Sequence, residues 1–220
     1  MSLKPLHLPA AELWLDPEFL PLPAAETLLA LLTEVVPWQQ QPIRLFGREV
    51  LQPRLTAWYG DAGATYSYSG LHLEPLPWLP ALAQVRQRVE QATGCRFNSV
   101  LLNLYRSDQD SMGYHADDEP ELGPEPTIAS LTLGATRTFR LKPRPAAFPG
   151  AAPLPAPLSI PLTSGSLLVM RGLTQQNWLH ALPKTTRPVG PRINLTFRRV
   201  SPAKQKQAFA IHQKAPATKP

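Results

Sequence analysis

Short runs of strand-forming residues fill the second half of this chain and restrict the folds open to it. From Phe97 onward the runs are separated by clusters of glycine, proline, aspartate and serine, and no helical periodicity interrupts them. They are SVLLNLY, TIASLTLG, RTFRLK, LSIPL, SLLVM and RINLTFR. This density of strands without intervening helices predicts a sandwich or a jelly roll.

Two amphipathic helices are predicted before these strands. Residues 24–36 place leucine and valine at helical spacing, and Pro37 ends the pattern. Residues 79–93 repeat the pattern, with Pro80 in the first turn and Gly94 just past the end. The predicted fold class is therefore α+β, with N-terminal helices before a β-rich core.

Composition indicates one folded domain in a reducing compartment. The 220 residues, 43% of them hydrophobic, are enough for one sizeable core, so the 27 prolines belong in loops and at strand edges. Cys95 is the only cysteine, which excludes an intramolecular disulfide and a thiolate cluster. No signal peptide and no membrane association are predicted, because prolines and acidic residues interrupt the early apolar residues. We expect a cytoplasmic monomer, nucleoid-associated in a bacterium or nuclear in a eukaryote.

The formal net charge of +6 is concentrated at the C-terminus. Four lysines and no acidic residue lie in 201–220, which leaves +2 for 1–200, so charge alone is weak support for a polyanionic partner. We expect 201–220 to be a disordered basic tail and the proline-rich stretch 143–157 to be a surface excursion between two strands. Residues 1–95 and 96–200 would together form one domain.

A His-x-Asp pair and a distant histidine form a candidate metal site. His115 and Asp117 are two residues apart, so on an extended segment both side chains point to one face. His180 follows the predicted strand SLLVM and offers a third ligand. Two imidazoles and one carboxylate form the facial triad of non-haem iron oxygenases, which leaves open positions for a cosubstrate and dioxygen. Alone, such a pattern is more often surface polarity, so support must come from elsewhere.

The run RINLTFR supplies that support through its alternation. One face carries Ile193, Leu195 and Phe197, and the other carries Arg192, Asn194, Thr196 and Arg198. Solvated arginines on a half-exposed strand are one interpretation. The other is an inward polar face, where buried guanidinium groups need anions such as the two carboxylates of 2-oxoglutarate. Asn103 and Tyr105 share one face of SVLLNLY and offer further donors, although an ordinary core tyrosine is an alternative for Tyr105.

These residues together resemble the AlkB family of oxidative nucleic-acid dealkylases, especially its double-strand-DNA branch. The resemblance runs from about Leu45 to Val200 through LFG, YGDAG, YSYSG, FNSVLLNLY, HADDE, IASLTLGA, GSLLVM, W-x-H-x-LP and PRINLTFR. It thins before Leu45 and in 143–157. It implies a double-stranded β-helix (jelly-roll) dioxygenase core over 96–200, preceded by an N-terminal helical and nucleotide-recognition segment over 1–95.

The resemblance also implies an enzyme that repairs N-alkylated bases, such as 1-methyladenine and 3-methylcytosine, in DNA. His115, Asp117 and His180 would bind Fe(II) and carry the catalysis. Dioxygen and 2-oxoglutarate would give succinate and CO2 while the N-alkyl carbon is hydroxylated, and the hemiaminal would release an aldehyde. Ascorbate would serve as the assay reductant.

A cosubstrate-binding set follows from the same resemblance: Asn103, Tyr105, Arg192, Asn194, Thr196 and Arg198. Arg192 would bind the distal carboxylate of 2-oxoglutarate with help from Tyr105. Arg198 and Asn103 would address its keto-acid end, and the remaining two would complete the polar lining.

Nucleic-acid contacts are implied for the segment LFGRE and for Arg54. Phe46 and Gly47 resemble an intercalating finger that fills the gap left by a flipped base, with an ordinary core phenylalanine as the alternative. Arg48 and Arg54 would contact neighbouring phosphates.

A base pocket is implied by the segment YSYSG. Tyr66, Tyr68 and Ser69 would line it, with Tyr68 stacking on the base where phenylalanine is common in the family. Asp118 and Glu119 would favour a cationic lesion.

Two other functions stay open on the sequence. One is an RNA or tRNA demethylase with the same chemistry, and the other is a non-catalytic cupin-like module that binds nucleic acid or a metabolite. A structural zinc in such a module is normally closed by four protein ligands, which argues against it here. His7, His72 and His212 are interpreted as surface or packing histidines.

Overall fold

The computed structural model describes residues 2–45, 48–64, 66–68, 71–150 and 153–201, and for 43–45, 66–68 and 71–73 it describes the backbone alone. The predicted tail after Ser201 lies outside the described residues. In chain order the elements are β1 (Lys4–Leu6), β2 (Glu12–Asp16), α1 (Leu22–Val35), β3 (Pro42–Leu45), β4 (Arg48–Leu51), β5 (Leu55–Gly60), β6 (Tyr66–Tyr68), β7 (Leu71–Leu73), α2 (Pro80–Thr93), β8 (Ser99–Tyr105), β9 (Met112–His115), β10 (Ile128–Gly134), β11 (Arg137–Pro143), β12 (Leu158–Leu162), β13 (Leu167–Arg171), α3 (Thr174–Asn177), β14 (Trp178–Leu182) and β15 (Arg192–Arg198).

Two antiparallel sheets form the centre of the fold. The larger has the strand order β1-β2-β13-β10-β15-β8-β5 and the smaller has the order β12-β11-β14-β9. Two further hairpins, β3-β4 and β6-β7, stand apart from both sheets. The predicted jelly-roll core is confirmed, and each of the six runs recognised in the sequence forms one of its strands.

Apolar side chains separate these layers into two cores. One lies between the sheets and joins Leu101, Ile128 and Met170 of the larger sheet to Leu141 and Trp178 of the smaller. The other covers the opposite face of the larger sheet, where α1 and α2 pack. Because helices cover the outer face of the larger sheet, a site on its inner face lies between the two sheets and is shielded from solvent.

The two predicted helices are confirmed with boundaries close to those expected. Pro23 stands in the first turn of α1, and the buried side chains of that helix are Ala25, Leu28 and Leu32. α2 ends at Thr93 and is followed by Gly94, which has φ 68°, a left-handed conformation that glycine adopts without a Cβ penalty.

The N-terminal segment contributes strands that the sequence patterns did not indicate. β1, β2 and β5 all precede residue 96 and belong to the larger sheet, with β2 paired to β13 and β5 to β8. Residues 1–95 are therefore helical only in part. Long-range pairing rather than local alternation places these strands, since β5 is buried along nearly its whole length.

The proline-rich stretch connects β11 to β12, as expected for an excursion between strands. Its described residues are mostly exposed or half-buried, but Phe148 turns inward with its ring centroid 5.9 Å from that of Trp178. In the described part of the chain, the helices are too short or too polar to cross a membrane.

Candidate active site

His115, Asp117 and His180 meet between the two sheets. His115 ends β9 and lies directly opposite His180 of β14. The ligand atoms of the three residues all lie within 4.8 Å of one another, and Nε2 of His115 is 3.8 Å from Oδ1 of Asp117. The predicted triad is thus brought together, and among the described residues it is the one such group of histidine, cysteine and acidic side chains.

Neighbouring groups fix the orientation of both imidazole rings. Nδ1 of His115 lies 2.9 Å from the carbonyl oxygen of Gly113. Because a carbonyl oxygen only accepts, Nδ1 carries the proton and leaves the Nε2 lone pair for a metal. The ring of His180 stacks on Phe139, with centroids 5.3 Å apart and planes inclined by 27°.

The buried environment keeps both histidines neutral. Burial is the main cause that lowers the pKa of His180 to about 3. Burial also lowers the pKa of His115 below its usual range. Neutral imidazoles at physiological pH are the form that binds metal ions.

Asp117 is held as a carboxylate by Arg198. Nη2 and Nε of Arg198 donate to Oδ2 of Asp117 over 2.8 and 3.2 Å, and both side chains are 4% exposed. Burial alone would raise the pKa of Asp117, but the charge and the hydrogen bonds of Arg198 outweigh it, and the pKa falls to about 2. Oδ1 is thereby left facing His115 as an ionised ligand.

A cavity lined by both polar and apolar side chains extends from the triad along the inner face of β15. The register pairs Arg192 with Tyr105 and Asn194 with Asn103 across β8 and β15. The residues that line the cavity include the triad and the whole predicted cosubstrate set: Asn103, Tyr105, Arg192, Asn194, Thr196 and Arg198. All of β15 is buried, so solvated arginines on a half-exposed strand are the wrong interpretation of RINLTFR.

Arg192 carries a buried positive charge at the far end of this cavity. Its Nη2 donates to Oγ1 of Thr132 over 2.8 Å and to Oδ1 of Asn194 over 2.9 Å, both neutral acceptors. Its Nε is buried and makes no hydrogen bond with any described residue. Burial lowers the pKa of Arg192 to about 10, so the group stays cationic at neutral pH. Such a charge calls for an anion, because burying it unpaired is costly.

The residues present therefore fit Fe(II) together with 2-oxoglutarate. Two neutral imidazoles and one carboxylate are the donor set of non-haem iron oxygenases, and three protein ligands leave coordination positions open. Arg192 provides the cation for a carboxylate at the other end of the same cavity.

The structure corrects the role expected for Arg54. This side chain is 4% exposed, and its Nε donates to Oδ1 of Asn103 over 2.7 Å. Because it points into the cosubstrate region, Arg54 is not available to a phosphate on the protein surface. The phosphate contact expected for Arg54 is therefore wrong. No feature of the sequence around Arg54 distinguishes it from an exposed arginine.

The sequence patterns did not indicate the roles of two further buried side chains, Arg137 and Gln175. Arg137 donates to the carbonyl oxygens of Ser107, Asp110 and Pro183 and so ties together the loops beneath the cavity. Gln175 accepts a hydrogen bond from the backbone N–H of Asp117. Their partners are distant in sequence, so no local motif marks them.

The predicted nucleic-acid contacts are only partly within the described residues. Asp118 lies next to the triad, is half-exposed, and forms an ion pair of 2.6 Å with Arg144. Glu119 is half-buried beside it. Arg48 is exposed on β4, where it pairs with Leu45.

The other predicted contacts lie outside the described side chains: Phe46, Gly47, Tyr66, Tyr68 and Ser69. The backbones of Tyr66 and Tyr68 belong to the β6-β7 hairpin. The roles expected for these five residues stay predictions.

Comparison with known proteins agrees with this geometry. Residues 13–198 match the model of the 2OG-Fe(II) oxygenase superfamily. Over 190 residues the chain is 45% identical to the alpha-ketoglutarate-dependent dioxygenase alkB homolog 3 of Homo sapiens, which covers 86% of this chain and 66% of that protein. It is 43% identical over 163 residues to the DNA oxidative demethylase ALKBH2 of Mus musculus, covering 74% and 68% respectively.

The chain spans about two thirds of the length of these relatives. The solved structure of OsALKBH1 is similar in fold, with a TM-score of 0.59 and 16% identity over 90% of this chain and 100% of that one. The matched range 13–198 includes the six strands and the two helices that the sequence predicts, and the complete triad. The chain therefore belongs to the AlkB family of the 2OG-Fe(II) oxygenase superfamily.

Proposed function

We propose that this chain is an oxidative demethylase that removes N-alkyl groups from damaged bases in DNA, with 1-methyladenine and 3-methylcytosine as substrates. One observation carries the oxidative part of the proposal: the carboxylate of Asp117 and the imidazoles of His115 and His180 meet at a cavity that is also lined by Arg192, a buried guanidinium with only neutral acceptors among its described hydrogen-bond partners. The name of the relative ALKBH2, a DNA oxidative demethylase, supports the same activity for this chain.

The chain's own residues bind and orient the cosubstrate. Arg192 pairs with its distal carboxylate, next to the ring of Tyr105, whose centroid is 5.3 Å from the guanidinium carbon. Arg198 stands beside Asp117, to which it donates, and Asn103 lies opposite Asn194, between Arg192 and Arg198 along the strand. When bound, iron, 2-oxoglutarate and dioxygen would supply the oxidation of the alkyl carbon, with succinate and CO2 as co-products and an aldehyde released from the hydroxylated alkyl group.

Acidic residues beside the triad support a cationic lesion as substrate. Asp118 and Glu119 directly follow the metal ligand Asp117 in sequence. Asp118 is already paired with Arg144, so a cationic base would share or replace that contact; an opposite charge within a few ångströms stabilises a cation more than a neutral base. Base flipping is required to bring the alkyl carbon of a stacked base to this site.

The exposed β3-β4 hairpin supports duplex DNA over single strands. Its second strand carries exposed Arg48, Val50 and Leu51. Phe46 and Gly47, which connect the two strands in sequence, suit a wedge between base pairs.

The test is a panel of oligonucleotides, each with one lesion, in single-stranded DNA, duplex DNA and RNA. The protein is incubated with Fe(II), ascorbate and 2-oxoglutarate, and formaldehyde and succinate are measured. We expect turnover on DNA that stops when 2-oxoglutarate is omitted. Preference for RNA would replace the DNA proposal, and no turnover by a folded, iron-loaded sample would favour a binding module.

We also propose that the protein acts as a monomer in a reducing compartment, cytoplasmic, nucleoid-associated or nuclear according to the cell type. The single cysteine supports the compartment. Fractionation and size-exclusion chromatography test the two statements.

A further inference from the structure

Gln175 holds the main chain of the metal ligand Asp117. β9 ends at His115, so Asp117 lies in a segment without strand or helix, although it is 3% exposed. Its backbone N–H donates to Oε1 of Gln175 over 3.0 Å, across 58 residues of sequence. A buried N–H left without an acceptor costs about as much as a lost hydrogen bond. This contact therefore restrains the peptide from which the carboxylate projects.

Gln175 is itself held in place by the short helix α3. It is 1% exposed. Oγ1 of Thr174 accepts from the backbone N–H of Glu12 over 2.9 Å, and Nδ2 of Asn177 donates to the carbonyl oxygen of Ala10 over 2.8 Å. These bonds fasten α3 to the N-terminal segment, so the amide of Gln175 is presented from a fixed support.

Asp117 is thus restrained at both ends. Gln175 holds its backbone, and Arg198 holds Oδ2 of its carboxylate over 2.8 Å. With both ends fixed, Oδ1 is directed to the side of His115, 3.8 Å from Nε2. A carboxylate on an irregular segment would otherwise rotate with its peptide.

We propose that Gln175 is a positioning residue of the metal site, which sets the direction of Oδ1 of Asp117 through the backbone N–H of that residue. Removing a group that orients a ligand from outside the coordination sphere typically weakens metal affinity 10- to 100-fold. The inference concerns the metal site alone and does not depend on which alkylated nucleic acid is the substrate.

The test compares Gln175→Met with Gln176→Met in a titration with Co(II), whose visible absorption reports ligand geometry. Methionine keeps nearly the volume of glutamine and lacks the acceptor. Gln176 is a matched control, because it is the exposed neighbour and its Nε2 donates to the carbonyl oxygen of Pro124 instead. We expect about a tenfold or greater rise in the Co(II) dissociation constant and an altered spectrum for Gln175→Met, with wild-type values for Gln176→Met. Equal dissociation constants and spectra in the two variants would overturn the proposal, whatever their melting temperatures.

Two further measurements guard against a variant that fails to fold. Gln175→Glu keeps an acceptor oxygen, so we expect it to bind Co(II) more tightly than Gln175→Met does; equal weakness would contradict the role of the acceptor. In the wild-type protein, the amide of Asp117 should be protected from hydrogen exchange as strongly as the amides of β15. Exchange as fast as in an exposed loop would overturn the proposal without any variant.

Discussion

Arg192 offers a prediction in which ligand binding and stability change in opposite directions. Arg192→Met keeps the aliphatic stem and removes the buried guanidinium. In the protein without cosubstrate, this charge has no described anionic partner, so its removal relieves an unpaired buried cation. With 2-oxoglutarate bound, the same change removes the anchor for one carboxylate.

The expected rise in the KM for 2-oxoglutarate follows from the free energy of a hydrogen bond to a charged group. Such a bond contributes about 1.5–3 kcal/mol, and about 1.4 kcal/mol corresponds to a factor of ten in affinity. The KM for 2-oxoglutarate should therefore rise about 10- to 150-fold, while kcat at saturating cosubstrate changes less. The melting temperature without cosubstrate should be equal to the wild-type value or higher.

The assay combines steady-state kinetics at varied 2-oxoglutarate with thermal melting in its presence and absence. The matched control is Arg96→Met, since the side chain of Arg96 is 87% exposed and lies outside the cavity. The wild-type protein and the control should both melt at a higher temperature when 2-oxoglutarate is added, whereas Arg192→Met should not. A KM for 2-oxoglutarate within about twofold of wild type would refute the reasoning, because it would show that Arg192 does not bind a carboxylate of the cosubstrate.

Three further predictions concern the surroundings of the site. Arg54→Met should lower kcat/KM, because it removes the donor to Asn103. It should leave the salt dependence of DNA affinity unchanged, whereas the loss of a phosphate contact would reduce the slope of log affinity against log salt concentration by about one. Asp110→Asn should destabilise the protein towards urea at neutral pH and match wild type in acid. Burial would raise the pKa of Asp110, but hydrogen bonds from Arg106 lower it below its usual value. The stabilisation by this ion pair is therefore lost as the pH falls through the lowered pKa. A destabilisation that persists unchanged in acid would rule out the ion pair as its cause. Phe46→Ala should weaken repair of duplex lesions far more than of single-stranded ones, and equal losses on both substrates would remove the wedge interpretation.

Local patterns were sufficient where the residues that decide the structure are close in sequence. Alternation in RINLTFR separated the apolar from the polar face of β15, and both faces are buried as the cofactor interpretation requires. Helix boundaries followed from Pro23 and Gly94. The triad was predicted from the His-x-Asp spacing and one distant histidine, His180 of β14, with support from the run RINLTFR and from the family resemblance.

Local patterns failed where burial depends on distant partners. Arg54 is an inward arginine because Asn103 lies opposite β5 and accepts its hydrogen bond, a contact across 49 residues. β2 becomes part of the larger sheet only because β13 pairs with it, more than 150 residues later in the chain. Gln175 also depends on a distant partner. It lies between β13 and β14, and it accepts a hydrogen bond from the backbone N–H of Asp117, which follows β9. These features depend on tertiary register, which no window of sequence contains.

The proposed function requires one cavity to couple 2-oxoglutarate turnover to oxidation of an N-alkyl group in DNA. The most direct measurement is the ratio of succinate to formaldehyde formed from a 3-methylcytosine oligonucleotide by wild-type protein, His180→Ala and the exposed control His7→Ala. We predict equal amounts of the two products for wild type and His7→Ala, and neither product for His180→Ala. Formaldehyde release by His180→Ala, or none by the iron-loaded wild-type protein, would contradict the account.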